Sequence, residues 1–164
     1  MGSGGERFPR ATVDRKVAEI LAGDSIDGLG KLQQLSDTLR EVVPHYNWFG
    51  FYIALPDNPM LVLGPFSGEP TEHTHIPFGR GICGQAAQQR ATFLVPDVSA
   101  ESNYLACSLL VKSEIVVPII RDSRVIGEID IDSHRTDPFT PEDIEFLEQL
   151  ARKVEPLIPV DFPN

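Results

Sequence analysis

The chain has 164 residues, 41% apolar and 23% charged, which suits one soluble globular domain with a real core. Its net charge of −10 argues against nucleic acid and anionic membrane surfaces as partners, because both reward basic patches. No apolar run approaches the roughly 18 residues of a membrane span, and two cysteines are too few for a secreted disulfide framework.

Residues 1–10 are expected to be a flexible N-terminus, followed by a single domain over 11–160. The polar start from Met1 to Arg7 has no signal-peptide pattern, so a reducing cytoplasm is the expected setting. A short helix is predicted around Thr12 to Leu21. Leu29, Leu32, Leu35, Leu39, Val42 and Val43 recur at helical spacing, which predicts a second helix from Asp27 to Val43, ended by Pro44. Trp48 to Leu55 and Met60 to Phe66 read as strands joined by the turn Pro56-Asp57-Asn58-Pro59. Thr71 to Ile76 reads as a third strand that Pro77 stops or confines to an edge.

Gly84 to Arg90 then reads as a short helix and Thr92 to Val95 as a strand, followed by an irregular stretch from Asp97 to Val111. Glu114 to Ile120 and Val125 to Asp132 form a hairpin across Arg121-Asp122-Ser123-Arg124. In the last helix Thr140 is the N-cap, Pro141 the first helical residue and Asp143 the capping-box acid. Its apolar stripe is Ile144, Leu147, Leu150, Ala151, Val154 and Leu157. Helices at both ends of hairpin-joined strands imply an α+β fold, an antiparallel sheet with helices packed on it.

Gly79-Arg80-Gly81-Ile82-Cys83-Gly84 matches the G-x-G-x-x-G pattern, but no buried parallel strand precedes it and no βαβ unit surrounds it. A tight turn feeding a helix start suits these residues better. It either holds a small anion on free N–H groups or is purely structural. Cys83 lies near that helix start, where the dipole lowers a thiol pKa, so local electrostatics nominate it over Cys107 as the more reactive thiol. Each cysteine taken alone is more often a small buried hydrophobe than a nucleophile.

Glu128, Asp130 and Asp132 alternate with Ile129 and Ile131, which puts three carboxylates on one face of a strand. Such a face either lines a cavity that holds an amine or shares protons, or is simply solvated. Hairpin pairing brings Glu114 near Asp130 or Asp132. Trp48, Phe49, Phe51 and Tyr52 read first as core aromatics, one of which can wall a small pocket. His73 and His75 share a face of an edge segment, where a solvated edge is favoured over metal binding. Without a Cys-x-x-Cys pair, and with four scattered histidines, no metal site is expected.

Taken together, several stretches resemble the free methionine-(R)-sulfoxide reductase branch of the GAF-domain family, over about residues 30 to 155. They are Trp48-Phe49-Gly50-Phe51-Tyr52, Leu63-Gly64-Pro65-Phe66, Ile76 to Gly84, Ala106-Cys107, Ser113 to Pro118, and Asp130-Ile131-Asp132-Ser133. The resemblance implies a GAF-type sheet of about six antiparallel strands flanked by helices, and usually a homodimer. It implies reduction of free L-methionine-(R)-sulfoxide with Cys107 as nucleophile and Cys83 as resolving thiol, through a Cys107 sulfenic acid and a Cys83–Cys107 disulfide. That reverses the local-electrostatic ranking.

Glu114, Asp130 and Asp132 match the acids that polarise the sulfoxide and hold the amino group, and Trp48 and Tyr52 match the pocket wall. The substrate carboxylate falls to backbone N–H groups around Gly81, Ile82 and Gly84. A thioredoxin-type dithiol is the implied reductant, and no cofactor is required. Where many members carry a third cysteine, this chain has His73, which leaves one disulfide route. Tyr104 and Ser108 replace a histidine and an aspartate that often flank the Ala-Cys pair. The alternative from a different class is a non-catalytic GAF module that binds a small ligand or senses redox state.

Overall fold

A computed structural model describes residues 7–104 and 109–162. The first helix, α1 (Arg10–Ala22), starts two residues before the expected Thr12. Phe8 is buried, with its ring 5.5 Å from that of Phe146, and Arg10 reaches Gln149 at 2.5 Å. Residues 8–10 therefore belong to the folded body, which begins earlier than the expected boundary at residue 11. α2 (Gly28–Val42) opens where the Asp27 side chain accepts the Gly30 N–H at 2.8 Å, and it buries Leu32, Leu35 and Leu39.

Six strands follow: β1 (Trp48–Ala54), β2 (Met60–Ser67), β3 (His75–Pro77), β4 (Phe93–Val95), β5 (Ser113–Arg121) and β6 (Arg124–Ser133). They form one sheet in the order β3-β2-β1-β6-β5-β4, antiparallel at every pair. The third strand covers His75–Pro77 rather than Thr71 to Ile76, and Pro77 sits inside it. An edge strand tolerates a residue without an N–H, so the proline confines this strand instead of stopping it. At the β5–β6 hairpin Asp122 and Ser123 have φ of 52° and 66°. These signs mark a type I′ turn, and Arg121 pairs directly with Arg124. The connection is thus two residues, shorter than the four-residue turn expected.

Alternation along the strands divides the sheet into two faces. Phe49, Phe51, Ile53, Ile115, Val117, Ile119, Ile129 and Ile131 point to the face covered by α1, α2 and α4 (Pro141–Val154), where the main core lies. Trp48, Tyr52 and Val116 belong to the other face, which packs against α3 (Gly81–Gln89). Leu157 extends the stripe of α4 from a separate 3-10 turn, Glu155–Leu157, because Pro156 cannot continue the α-helical ladder. Among the described residues, no helix is long and apolar enough to cross a membrane.

The capping box of α4 is tied into the core. Thr140 and Asp143 exchange backbone and side-chain hydrogen bonds, while Asp143 Oδ1 also lies 2.7 Å from His45 Nε2 and accepts the Tyr46 hydroxyl at 2.8 Å. Burial alone would raise the Asp143 carboxyl, but hydrogen bonds to His45, the Thr140 backbone and Tyr46 outweigh it and hold the pKa low. A carboxyl held low in the folded state adds stability above its unfolded pKa and loses it as pH falls through the folded value. Asp143→Asn should therefore cost about 2 kcal/mol at neutral pH. Thermal melts across pH should show the gap to wild type narrowing below roughly pH 4.

Candidate active site

The alternating acids of β6 stand on the face away from the main core, and strand pairing adds a fourth from β5. Asp132 pairs with both Trp48 and Glu114, Asp130 with Gly50 and Val116, and Glu128 with Tyr52 and Pro118. Relative exposures of 6% for Glu114, 0% for Glu128, 2% for Asp130 and 1% for Asp132 rule out the solvated face. Among the described residues, both carboxylate oxygens of Glu128 and Asp132, and Oδ1 of Asp130, are buried without a hydrogen-bond partner. Burial raises all three carboxyl pKa values, and the charge of Asp130 raises Glu128 and Asp132 further. Near neutral pH this face favours protonated acids or a bound cation.

Cys83 faces the same acids from the first turn of α3. The helix begins at Gly81 and not at the expected Gly84, since Gly81 takes a φ of +65° that only glycine adopts without strain. Gly84 permits close packing: a Cβ there would lie 2.6 Å from the Pro77 carbonyl oxygen. The Cys83 thiol donates to Glu114 Oε2 at 3.9 Å. Burial, then the charges of Asp130, Glu114, Glu128 and Asp132, push its pKa well up. The expectation that the helix dipole would lower it is overturned, because a helix start contributes only a partial charge against four buried acids.

A small cavity of about 20 Å³ lies between these groups, lined by Tyr52, His73, Ile82, Cys83, Glu114 and Asp130. That is room for about one water. Tyr52 is fixed by donating its hydroxyl to the His73 carbonyl at 2.8 Å. Trp48 is on the same sheet face but outside the lining. Its indole stacks on Phe66, donates to the Glu69 carbonyl at 2.9 Å and lies over Gly50. Wider clefts of about 540 and 670 Å³ open elsewhere and contain none of the predicted site residues.

A family model for the GAF domain matches residues 32–158. The chain belongs to the GAF-domain family. This GAF domain is 36% identical over 148 residues to the free methionine-R-sulfoxide reductase of Escherichia coli, covering 90% of this chain and 87% of that one. Among solved structures, free methionine-R-sulfoxide reductase from Neisseria meningitidis in complex with its substrate is similar at 38% identity with a TM-score of 0.82. That match covers 89% of this chain and 86% of the other. The reduced form of fRMsr of Staphylococcus aureus is similar at 35% identity with a TM-score of 0.83, covering 94% and 97%.

Of the residues singled out from sequence, Tyr52, Ile82, Cys83, Glu114 and Asp130 meet at the cavity of the GAF sheet. Asp132 and Trp48 sit on the adjoining stretch of the same face, and Gly81 and Gly84 shape the turn beneath Cys83. Cys107 and Ser108 lie outside the described residues. The Gly81 N–H is already engaged by Asn103 Oδ1 at 3.1 Å and the Gly84 N–H by the Arg80 carbonyl at 2.9 Å. These two therefore do not act as anion donors in this arrangement. Asn103 gave no signal in the sequence, being a long-range partner in an irregular segment. Glu128 carried a signal, its place in the acid alternation, yet only its burial makes it part of the site.

Two substitutions probe this packing. A carboxyl with a raised folded-state pKa adds stability only at low pH and loses it as pH rises through the folded value. Asp132→Asn should thus melt higher than wild type at neutral pH, by about 1 kcal/mol or more, with the gap widening as pH climbs above roughly 4. In Gly50→Ala the new Cβ would lie 2.4 Å from Trp48 Cη2 and 2.8 Å from Phe66 Cβ. Displacing the stacked indole should cost about 1–3 kcal/mol, read as a lowered melting temperature with altered tryptophan fluorescence.

Proposed function

We propose that this GAF domain reduces free L-methionine-(R)-sulfoxide to methionine, as its named relatives do. The observation that carries the reading is the set of buried carboxyls opposite the Cys83 thiol, with Glu114 and Asp130 lining one small cavity beside it. Burial pushes the Glu128, Asp130 and Asp132 carboxyls up, toward the protonated form that can supply the proton a sulfoxide oxygen needs as it leaves sulfur. The same acids, once ionised, match the ammonium of a free amino acid, and that cation relieves their mutual repulsion.

In this reading the Cys107 thiolate attacks the sulfoxide sulfur while an acid among Glu114, Asp130 and Asp132 donates a proton to the oxygen. Oxygen passes to Cys107 as a sulfenic acid and methionine leaves. The Cys83 thiol then attacks the sulfenic sulfur, forming the Cys83–Cys107 disulfide and releasing water. A thioredoxin-type dithiol restores both thiols by exchange. The raised pKa of Cys83 suits the resolving role, since it stays a thiol while Cys107 reacts. Tyr52 and Trp48 wall the methyl side, and the Ile82 N–H in the first turn of α3 receives the carboxylate, since those of Gly81 and Gly84 are engaged. A cavity sized for one water must widen to admit the substrate. The family resemblance extends the reading to a cytoplasmic homodimer that needs no cofactor.

Cys107→Ser should abolish reduction, whereas Cys83→Ser should release about one methionine per chain and then stall. A rapid-quench assay counting methionine against enzyme separates the two, and the opposite pattern would exchange the roles. Glu114→Gln and Asp132→Asn should lower the rate by about 10²-fold or more without lowering the melting temperature. Parallel loss of fold and activity would make these acids structural.

A further inference from the structure

We propose that Cys83, Glu114 and Asp130 form a binding site for a zinc-type divalent transition metal, and that such a metal competes with the substrate for the cavity. One donor atom from each of these three residues lies within 4.8 Å of the others, and all three side chains are buried. Cys83 Sγ and Glu114 Oε2 are 3.9 Å apart. Zinc bonds of about 2.3 Å to sulfur and 2.0–2.2 Å to oxygen put tetrahedral ligands about 3.5 Å apart, so the Cys83–Glu114 pair already stands near that spacing and any wider separation within the 4.8 Å limit must contract.

Two further observations point to a ligand here. Asp130 Oδ1 is buried and has no hydrogen-bond partner among the described residues, and Asp130 lines the cavity between the three donors. That cavity, of about 20 Å³, has room for a bare ion or one water without the widening that the substrate needs. A divalent cation would relieve the mutual repulsion of the acids on this sheet face. One thiolate and two carboxylates form a borderline-soft set, which favours zinc or cobalt over magnesium or calcium. His73 lines the same cavity without belonging to the three-atom set, so water is left to complete an open fourth position. Scattered cysteines and histidines gave no ligand spacing in the sequence; the site is assembled from α3, β5 and β6.

The metal site stands independently of the activity, while its inhibitory consequence rests on the reductase reading. A metal on Cys83 holds the thiolate that would otherwise resolve the sulfenic acid, and a metal on Glu114 and Asp130 takes the acids assigned to substrate.

The test is titration of reduced protein with cobalt(II), followed by the near-ultraviolet charge-transfer band of a cobalt–thiolate bond. The band should appear in wild type and in Cys107→Ser, vanish in Cys83→Ser, and be displaced by zinc. Asp130→Asn, which keeps both thiols, should weaken cobalt binding by about tenfold or more. No band in folded wild type would overturn the proposal, as would a band that survives Cys83→Ser and disappears in Cys107→Ser. Unchanged affinity in Asp130→Asn would overturn it too, and this variant decides the matter should Cys83→Ser fail to fold. None of these readouts uses turnover, so a failed metal site leaves the reductase reading intact. An inactive protein that still shows the band refutes the activity alone.

Discussion

Glu114, Glu128, Asp130 and Asp132 are packed into one face of two neighbouring strands, and their repulsion has to be relieved by protons or by a cation. The rest of the molecule makes sense as the frame that holds this unfavourable cluster. Phe49, Phe51, Ile53, Ile115, Ile119, Ile129 and Ile131 are fully buried on the opposite face. Each such side chain contributes about 1.5–3 kcal/mol on burial. A group of that size outweighs the few kcal/mol that burying the carboxyls costs. Stability resides on one side of the sheet and reactivity on the other.

Strand alternation is what lets β6 serve both purposes. Ile129 and Ile131 point into the main core while Asp130 and Asp132 face α3, so neither set can shift register without exchanging places with the other. The turn at Gly79 to Gly84 sets where α3 begins, and with it the distance from Cys83 to the acids. Gly50 plays the corresponding part on β1, where its missing Cβ leaves room for the Trp48 indole. Both glycines at the site thus trade local conformational freedom for close approach.

The alternation Glu128-Ile129-Asp130-Ile131-Asp132 made the shared face legible in the sequence, and hairpin pairing correctly brought Glu114 to it. Burial of that face was not legible, because it depends on which short elements fold over the sheet. The pKa of Cys83 misled for the same reason: the helix start is a local feature, whereas the four acids come from β5 and β6. The end helix was readable down to its capping box, since Thr140, Pro141 and Asp143 are contiguous. Its second set of partners, His45 and Tyr46, lies nearly a hundred residues earlier and left no local trace. Periodicity carries neither a pairing of Cys83 with Cys107 nor roles for the acids; the proposed function takes both from the family resemblance.

In the proposed function the acid face recognises the charges of a free amino acid. Reduced protein should be supplied with dithiothreitol and offered free R and S methionine sulfoxides and an N-blocked peptide analogue, with methionine or the reduced peptide quantified. The free R sulfoxide should be consumed. The S form and the blocked peptide should be rejected, because they leave buried polar partners unmatched, a penalty worth several kcal/mol in comparable discrimination. Equal use of the blocked peptide would contradict the claim, and no turnover of any substrate by folded, reduced protein would leave a GAF module that binds a ligand without transforming it.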